Sequence, residues 1–212
     1  MKKTAILSAF ILLLTSVSYS QDYDSTRKHD EFKTLFGHNR PRGAYGAFTM
    51  GYSEIQSKQA IIFGGKFEWI AGHSFGFGFG GNGFINEYHY DANIGRNVFL
   101  TGGYGGLYLE PIFMPNFPVH LSFPLLLGVG GISYITKEIQ FNHNMIEDSE
   151  AFLIAEPSAE IELNITRNFR LALGATYKFT TPFDIGTNGT ASVGSKAIEG
   201  WSYMMTFKFG RF

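Results

Sequence analysis

The sequence predicts an all-β protein, an up-and-down antiparallel transmembrane β-barrel of about eight strands. Three observations predict it. Apolar residues recur at every second position from Gly43 onward, which is the period of a strand. Aromatic residues make up 17% of the chain and charged residues also 17%, whereas a soluble domain carries about 25% charged residues. The first residues are also typical of an export signal.

The N-terminus divides into two segments ahead of the barrel. Met1, Lys2 and Lys3 form a basic start, the run 5–14 is apolar, and small residues at 18–20 suit a cleavage site. Residues 1–20 are therefore predicted to be a signal peptide, since a membrane-spanning helix needs about twenty apolar residues. Residues 21–42 are polar and are interpreted as a periplasmic lead-in, with a plug or docking segment as the alternative. Residues 43–212 form the predicted barrel domain.

The alternation places strands at roughly 43–54, 60–70, 75–87, 97–110, 119–134, 151–165, 169–179 and 200–212. The fifth and sixth are the most regular, and the fourth is the least regular because it is apolar on both faces. Connections after the second, fourth and sixth strands are short, whereas those after the third, fifth and seventh are longer and polar. This alternation in loop length is typical of outer-membrane barrels.

The tightest turn predicts a register. Placing Ile165 opposite Phe169 aligns apolar partners on one face and polar partners on the other. It also places Glu156 opposite Lys178, which predicts a cross-strand ion pair. Local irregularity is expected at Pro124 and Pro157, because proline lacks a ladder donor. The further predicted pairs are Leu163 with Leu171, Ile161 with Leu173, Ala159 with Ala175, Pro157 with Tyr177, Asn164 with Arg170 and Ser158 with Thr176.

Charge distribution separates a membrane barrel from a soluble lipocalin-type barrel. No Asp, Glu, Lys or Arg lies between Glu68 and Glu87, between Arg96 and Glu110, or between Glu110 and Lys137. The less apolar face there is mainly Gly, Ser and Asn, which suits a crowded lumen. Eight strand charges, four of each sign, are predicted to pair as a lumen ion network: Lys66, Glu68, Glu156, Glu160, Glu162, Arg170, Lys178 and Lys208.

Aromatic residues gather at the strand ends, where lipid-facing girdles are expected. The predicted periplasmic girdle is Trp69, Phe75, Phe169, Phe209 and Phe212. The predicted outer girdle is Tyr52, Tyr134, Phe179, Trp201 and Tyr203. Phe212 lies off the parity of Phe207 and Phe209, which predicts a bulge or frayed end at Gly210–Arg211.

The terminal aromatic strand, the signal peptide and the eight alternating strands resemble the small outer-membrane β-barrel superfamily that includes OmpA, OmpX and OmpW. The resemblance implies a bacterial outer-membrane location, in contact with membrane lipid and lipopolysaccharide. It also implies insertion by the barrel-assembly machinery, with Phe207, Phe209 and Phe212 as the assembly signal. No peptidoglycan-binding domain follows Phe212, so cell-wall anchoring is not expected.

One pair of residues suggests chemistry. His120 and Ser122 have the spacing found in lipid A deacylases of the PagL type, where they would act as general base and nucleophile, oriented by an acid such as Glu110 or Glu138. Phe123 departs from that family's motif, which has asparagine there, and the register points the pair into the lumen. We interpret both as hydrogen-bonded lumen residues and expect no catalytic site.

Other binding chemistry is not indicated. The histidines at positions 29, 38, 73, 89 and 143 lack metal-ligand spacing, and there is no cysteine. The glycine runs 76–80 and 128–131 lie inside strands, so they are not phosphate loops. A net charge of −1 gives no reason to expect nucleic-acid binding, and we expect no cofactor.

The expected function is that of a non-enzymatic barrel with a filled polar lumen. Such a barrel would support envelope structure or present the loops 87–97, 137–150 and 180–199 for binding, with an unidentified envelope protein as a possible partner. Two alternatives remain open: a narrow channel or apolar-ligand transporter, and a lipid A-modifying enzyme.

Overall fold

A computed structural model describes residues 42–55, 58–87, 89–91, 96–136, 146–182, 185–187, 190–193 and 198–212. The predicted signal peptide 1–20 and nearly all of the predicted segment 21–42 lie outside the described residues. No helix in the described ranges is long and apolar enough to cross a membrane.

The described residues form antiparallel β-strands. Their bounds are β1 Arg42–Ile55, β2 Lys58–Ala71, β3 Phe75–Asn86, β4 His89–Asp91, β5 Arg96–Phe113, β6 Val119–Ser122, β7 Leu125–Thr136, β8 Ile146–Thr166, β9 Phe169–Thr180, β10 Ile185–Thr187, β11 Thr190–Val193 and β12 Gly200–Arg211. All eight predicted strands are present. The largest difference is at β8, which begins at Ile146 inside a predicted loop.

The strands close into a ring of eight. Neighbours in sequence pair with each other, and β12 pairs with β1 to complete the ring. The short β6 and β7 are successive parts of one barrel strand, since both pair with β5 and β8. The pairing of β4 with β5 continues the β3–β5 ladder, while β10 and β11 form a separate hairpin. The predicted up-and-down barrel is confirmed.

Connection length alternates between the two ends of the ring. We call one end the turn end, because residues 72–74, 114–118 and 167–168 join strands there by short turns. The opposite, loop end carries the longer connections after β3, β7 and β9. This confirms the alternation predicted from the sequence.

The register at the β8–β9 turn agrees with the prediction over most of its length. Asn164 pairs with Arg170 and Ser158 pairs with Thr176, and the intervening pairs match. The turn itself is tighter than predicted, because Thr166 rather than Ile165 pairs with Phe169, with a register shift after Asn164. The Asn168 amide donates to Thr166 Oγ1 at 3.2 Å, which stabilises this shorter turn.

Both prolines interrupt the ladders, as predicted. Phe123 and Pro124 separate β6 from β7. The β8–β9 pairs pass from Ala155 directly to Ser158, without a β9 partner for Pro157. Both gaps follow from the missing amide hydrogen of proline.

Side chains alternate strictly between the lumen and the outside. In β2, for example, Ile62, Lys66 and Glu68 are buried inside, whereas Phe63 and Trp69 are exposed outside. The outer surface carries large exposed apolar side chains on strands all around the ring. They include Phe48, Ile61, Phe79, Leu107, Leu127, Val129, Leu153, Ile161, Leu173, Trp201, Tyr203 and Phe209. The protein is therefore apolar outside and polar in much of its interior.

Candidate functional site in the barrel lumen

The lumen holds all eight of the strand charges predicted for an ion network. Each points inward and is buried: Lys66, Glu68, Glu156, Glu160, Glu162, Arg170, Lys178 and Lys208. The six residues nearest the turn end all join in one connected cluster with Glu110. Glu156 and Lys178 stand apart from it.

Lys208 is the centre of this cluster. Its ammonium nitrogen lies 2.7 Å from Glu110, 3.0 Å from Glu160 and 2.5 Å from Glu162. The three carboxylates come within 4.8 Å of one another, a spacing that could hold a metal ion. Because the ammonium already lies among them, Lys208 supplies the positive charge that a bound cation would otherwise provide.

Glu110 is the residue of the cluster that the sequence interpretation did not include. Its carboxylate accepts hydrogen bonds from Lys66 at 2.6 Å and from the Tyr45 hydroxyl at 2.7 Å, and Lys66 also pairs with Glu68 at 2.9 Å. Glu110 lies near the end of β5, where glycines and apolar residues on both faces hide the parity. The buried Tyr104 and Tyr108, at the same parity as Glu110, carry the signal that could have identified it.

His120 and Ser122 are both buried in the lumen, as the register predicted. His120 Nε2 lies 3.0 Å from Glu162, whereas Ser122 donates to Glu160 at 3.3 Å. The two side chains thus bind different carboxylates, and neither is exposed on the outer face. Arg170 approaches the same Glu162 oxygen at 3.5 Å. Glu138, the other predicted orienting acid, lies outside the described residues.

Glu156 and Lys178 make no direct ion-pair contact, contrary to the prediction, although their charges interact. The Lys178 ammonium donates instead to Ser53 at 2.8 Å and to Ser202 at 2.7 Å, and these two hydroxyls are 2.9 Å apart. The flanking β8–β9 pairs bring Glu156 and Lys178 to opposite positions. Serines on β1 and β12 nevertheless provide the hydroxyls that accept from the ammonium, and the pairing of one hairpin cannot reveal them.

Of the bulge or frayed end predicted at Gly210–Arg211, the bulge is absent. The β1–β12 register is continuous to Arg211, so Phe212 falls on the inward face. Its ring lies 5.4 Å from that of Tyr45, and the Arg170 guanidinium lies 4.0 Å from its centroid. Phe212 therefore belongs to the turn end of the lumen and not to the lipid-facing girdle.

The loop-end half of the lumen contains an apolar layer that the sequence interpretation missed. Its buried members include Ile55, Ile62, Phe84, Leu100, Leu126, Ile132, Phe152 and Ile154. Ile198, from the segment before β12, is fully buried in the same layer. The loops 137–150 and 180–199 also contain apolar residues: Phe141, Met145 and Phe183 lie outside the described residues, as do the side chains of Ile146 and Ile185.

A small cavity lies between the ion cluster and the apolar layer. Its volume is about 20 Å³, enough for about one water-sized occupant. Its lining includes the polar residues Thr49, Asn82, Tyr108, Glu156, Thr176 and Thr206.

The other predicted girdle residues whose side chains the structure describes face outward. Trp69 and Phe75 at the turn end, and Tyr52, Trp201 and Tyr203 at the loop end, are exposed. Trp69 packs in an aromatic group with Phe67, Phe77 and Phe79, and Phe169 stacks on Phe209 at 4.8 Å. Tyr177 contacts both Phe179 and Trp201. The side chain of Tyr134 lies outside the described residues.

Comparison with solved structures identifies proteins of similar fold. Neisserial surface protein A (NspA) superposes with a TM-score of 0.52 at 10% identity, over 79% of this chain and 96% of that chain. The attachment invasion locus protein Ail of Yersinia pestis gives a TM-score of 0.42 at 15% identity, over 81% of this chain and 96% of that chain. No protein-family model matches the sequence, and neither does any curated protein. The chain has the fold of a small outer-membrane β-barrel.

Proposed function

We propose that this protein is an exported, integral protein of the bacterial outer membrane, with a filled lumen and no enzymatic activity. The observation that carries the proposal is the distribution of polarity: large apolar side chains cover the outside of a closed ring, and paired charges fill much of the inside. In water this arrangement would expose an extensive apolar surface, which soluble monomers rarely do. In a bilayer the apolar band faces acyl chains and every ladder is closed.

The lumen supports a structural or loop-presenting role in place of conduction. Side chains from opposite strands meet at Glu110 and Lys208, and Ile198 is buried in the apolar layer nearer the loop end. A hydrated ion could pass only by separating Glu110 from Lys208 and by displacing Ile198 from the apolar layer. The segments that follow β3, β7 and β9 would then be the surface for an envelope partner.

Cell fractionation and gel mobility test the membrane assignment. The full-length protein is expected in the outer-membrane fraction, extractable only with detergent, and to migrate faster on gels before boiling than after it. Recovery in the soluble periplasm without a mobility shift would contradict the proposal.

Two further measurements separate the alternatives. The filled-barrel proposal predicts planar-bilayer conductance no greater than that of protein-free controls, whereas a channel predicts discrete openings. A lipid A-modifying enzyme predicts that overexpression changes lipid A acylation and that His120→Ala abolishes the change. Unchanged lipid A would support the non-enzymatic assignment.

A further inference from the structure

The charges of the lumen are not balanced. Among the lumen side chains that the structure describes, Glu68, Glu110, Glu156, Glu160 and Glu162 give five negative charges. Lys66, Arg170, Lys178 and Lys208 give four positive charges, with His120 counted as neutral. An uncompensated charge in a closed interior has a high desolvation cost. With all five carboxylates ionised, the described lumen side chains are therefore one positive charge short.

Glu156 is the described lumen carboxylate without a paired lysine or arginine. It is 3% exposed, and its Oε2 atom has no hydrogen-bond partner; the Tyr104 hydroxyl, which interacts with Glu156, is likewise buried without one. Lys178, the nearest predicted partner, donates to Ser53 and Ser202 instead. The other four carboxylates each pair with a lysine within 3.0 Å. A buried carboxylate oxygen without a partner requires an occupant that it can bind.

Glu156 lines the cavity of about 20 Å³ between the ion cluster and the apolar layer. The hydroxyl-bearing residues Thr49, Ser158, Thr176 and Thr206 line the same cavity. Carboxylate and hydroxyl oxygens are hard ligands, which suit hard cations and water. Lys66 also lines the cavity, but its ammonium is held by Glu68 at 2.9 Å and by Glu110 at 2.6 Å.

We propose that this cavity binds one monovalent cation of about the size of Na⁺, with Glu156 Oε2 as its anionic ligand. The charge deficit selects a monovalent over a divalent ion, since a single positive charge restores neutrality. The cavity admits about one water-sized body, so the ion binds with most of its hydration shell replaced by protein oxygens. The three-carboxylate group around Lys208 is not this site, because the lysine ammonium already lies within it.

Cation-specific stability is the primary test. The purified full-length protein in detergent is unfolded by heat in NaCl and in N-methyl-D-glucamine chloride at equal ionic strength. Because a ligand that binds only the folded state stabilises it by mass action, Na⁺ should raise the Tm saturably by roughly 3–8 °C. Equal Tm values in the two salts would overturn the proposal, and this comparison needs no variant to fold.

Variants locate the site. Glu156→Gln keeps the side-chain size and should abolish the Na⁺-specific rise, while Thr206→Val should reduce it. The matched control is Glu54→Gln, because Glu54 is exposed on the outer face and its loss should leave the rise unchanged. Sodium NMR line broadening by the wild-type protein, lost in Glu156→Gln, gives an independent readout. Broadening that persists in Glu156→Gln would contradict the assignment to this cavity.

Discussion

The ammonium of Lys208 lies 2.7 Å from the carboxylate of Glu110, although the two residues belong to strands on opposite sides of the ring. Three barrel strands separate β12 from β5 in either direction. The pair therefore spans the full width of the lumen. Since Lys208 also contacts Glu160 and Glu162 of β8, one side chain connects two other barrel strands, β5 and β8, to its own.

Replacing Lys208 by methionine should destabilise the barrel strongly. The variant Lys208→Met keeps an unbranched side chain one atom shorter but leaves three carboxylates buried without their shared cation. Removing one partner of a buried ion pair costs about 3–5 kcal/mol. We expect the free energy of unfolding in urea, measured in lipid vesicles, to fall by this amount.

The matched control is Lys58→Met, because Lys58 is exposed at the loop end of β2. It should change the unfolding free energy by less than about 0.5 kcal/mol. The double variant Lys208→Met with Glu110→Gln should recover part of the loss, since it removes one of the uncompensated charges. Equal effects of the two lysine substitutions would contradict a central role for Lys208.

A methyl group at Gly76 should also disturb the ion cluster. A Cβ atom there would lie 2.6 Å from a Glu68 carboxylate oxygen and 3.3 Å from Glu110 Cβ. We expect Gly76→Ala to lower the unfolding free energy by about 1–3 kcal/mol, as overpacking does. Gly46→Ala is the control, because a Cβ atom at Gly46 meets nothing within 4 Å. In urea, the unfolding free energy of Gly46→Ala should equal or exceed that of the wild type. A Gly46→Ala variant less stable than Gly76→Ala would count against crowding at Gly76.

The sequence predicts those parts of the structure that depend on strand periodicity alone. The alternation of Ile62 and Phe63 in β2 assigns lumen and lipid faces because successive side chains of a strand point in opposite directions. The same rule fixes the β8–β9 register, since a shift of one residue would turn Ile161 and Leu163 into the lumen.

Contacts across the lumen could not be predicted in this way. The pairing of Glu110 with Lys208, and of Lys178 with Ser53, joins strands that are not neighbours in sequence. Such contacts depend on side-chain length and on ring closure, neither of which periodicity encodes. Phe212 illustrates the same limit. The sequence shows that it is out of alternation with Phe207 and Phe209, but only the continuous β1–β12 register shows that it points inward.

The apolar layer at the loop end should depend on Ile198. This side chain is fully buried among residues of several barrel strands, and replacing a buried isoleucine by alanine costs about 2–5 kcal/mol. We expect Ile198→Ala to speed limited proteolysis within residues 181–199, because the segment loses its apolar anchor. Ile198→Val, which costs about 0.5–1.5 kcal/mol, should give a rate close to that of the wild type. Unchanged cleavage in the alanine variant would mean that Ile198 does not anchor the segment.

The two tryptophans report the position of the barrel in a bilayer. Trp69 and Trp201 are exposed on the outer face near opposite ends of the ring, where amphipathic rings favour the headgroup region. In the single-tryptophan variants Trp201→Phe and Trp69→Phe, fluorescence should be quenched by lipids labelled near the headgroup more than by lipids labelled at the chain terminus. Stronger quenching of either residue by the deep label would contradict the proposed girdles.

Phe212 and Phe209 should behave differently when each is replaced by alanine. Phe212 packs against Tyr45 and lies beneath the Arg170 guanidinium, so Phe212→Ala removes an aromatic pair and a cation–π contact from the lumen. Together these are worth about 1–3 kcal/mol. The loss should appear in urea unfolding of purified protein in lipid vesicles, where no assembly machinery is present.

Phe209 instead stacks on Phe169 at the lipid-facing surface and belongs to the predicted assembly signal. If recognition by the assembly machinery depends on outward aromatic residues, Phe209→Ala should reduce the amount of folded protein in cells more than Phe212→Ala does. A Phe212→Ala variant with wild-type unfolding free energy but little folded protein in cells would reverse this assignment. Phe212 would then act in assembly and not in lumen packing, because a packing contact must contribute whether or not the machinery is present.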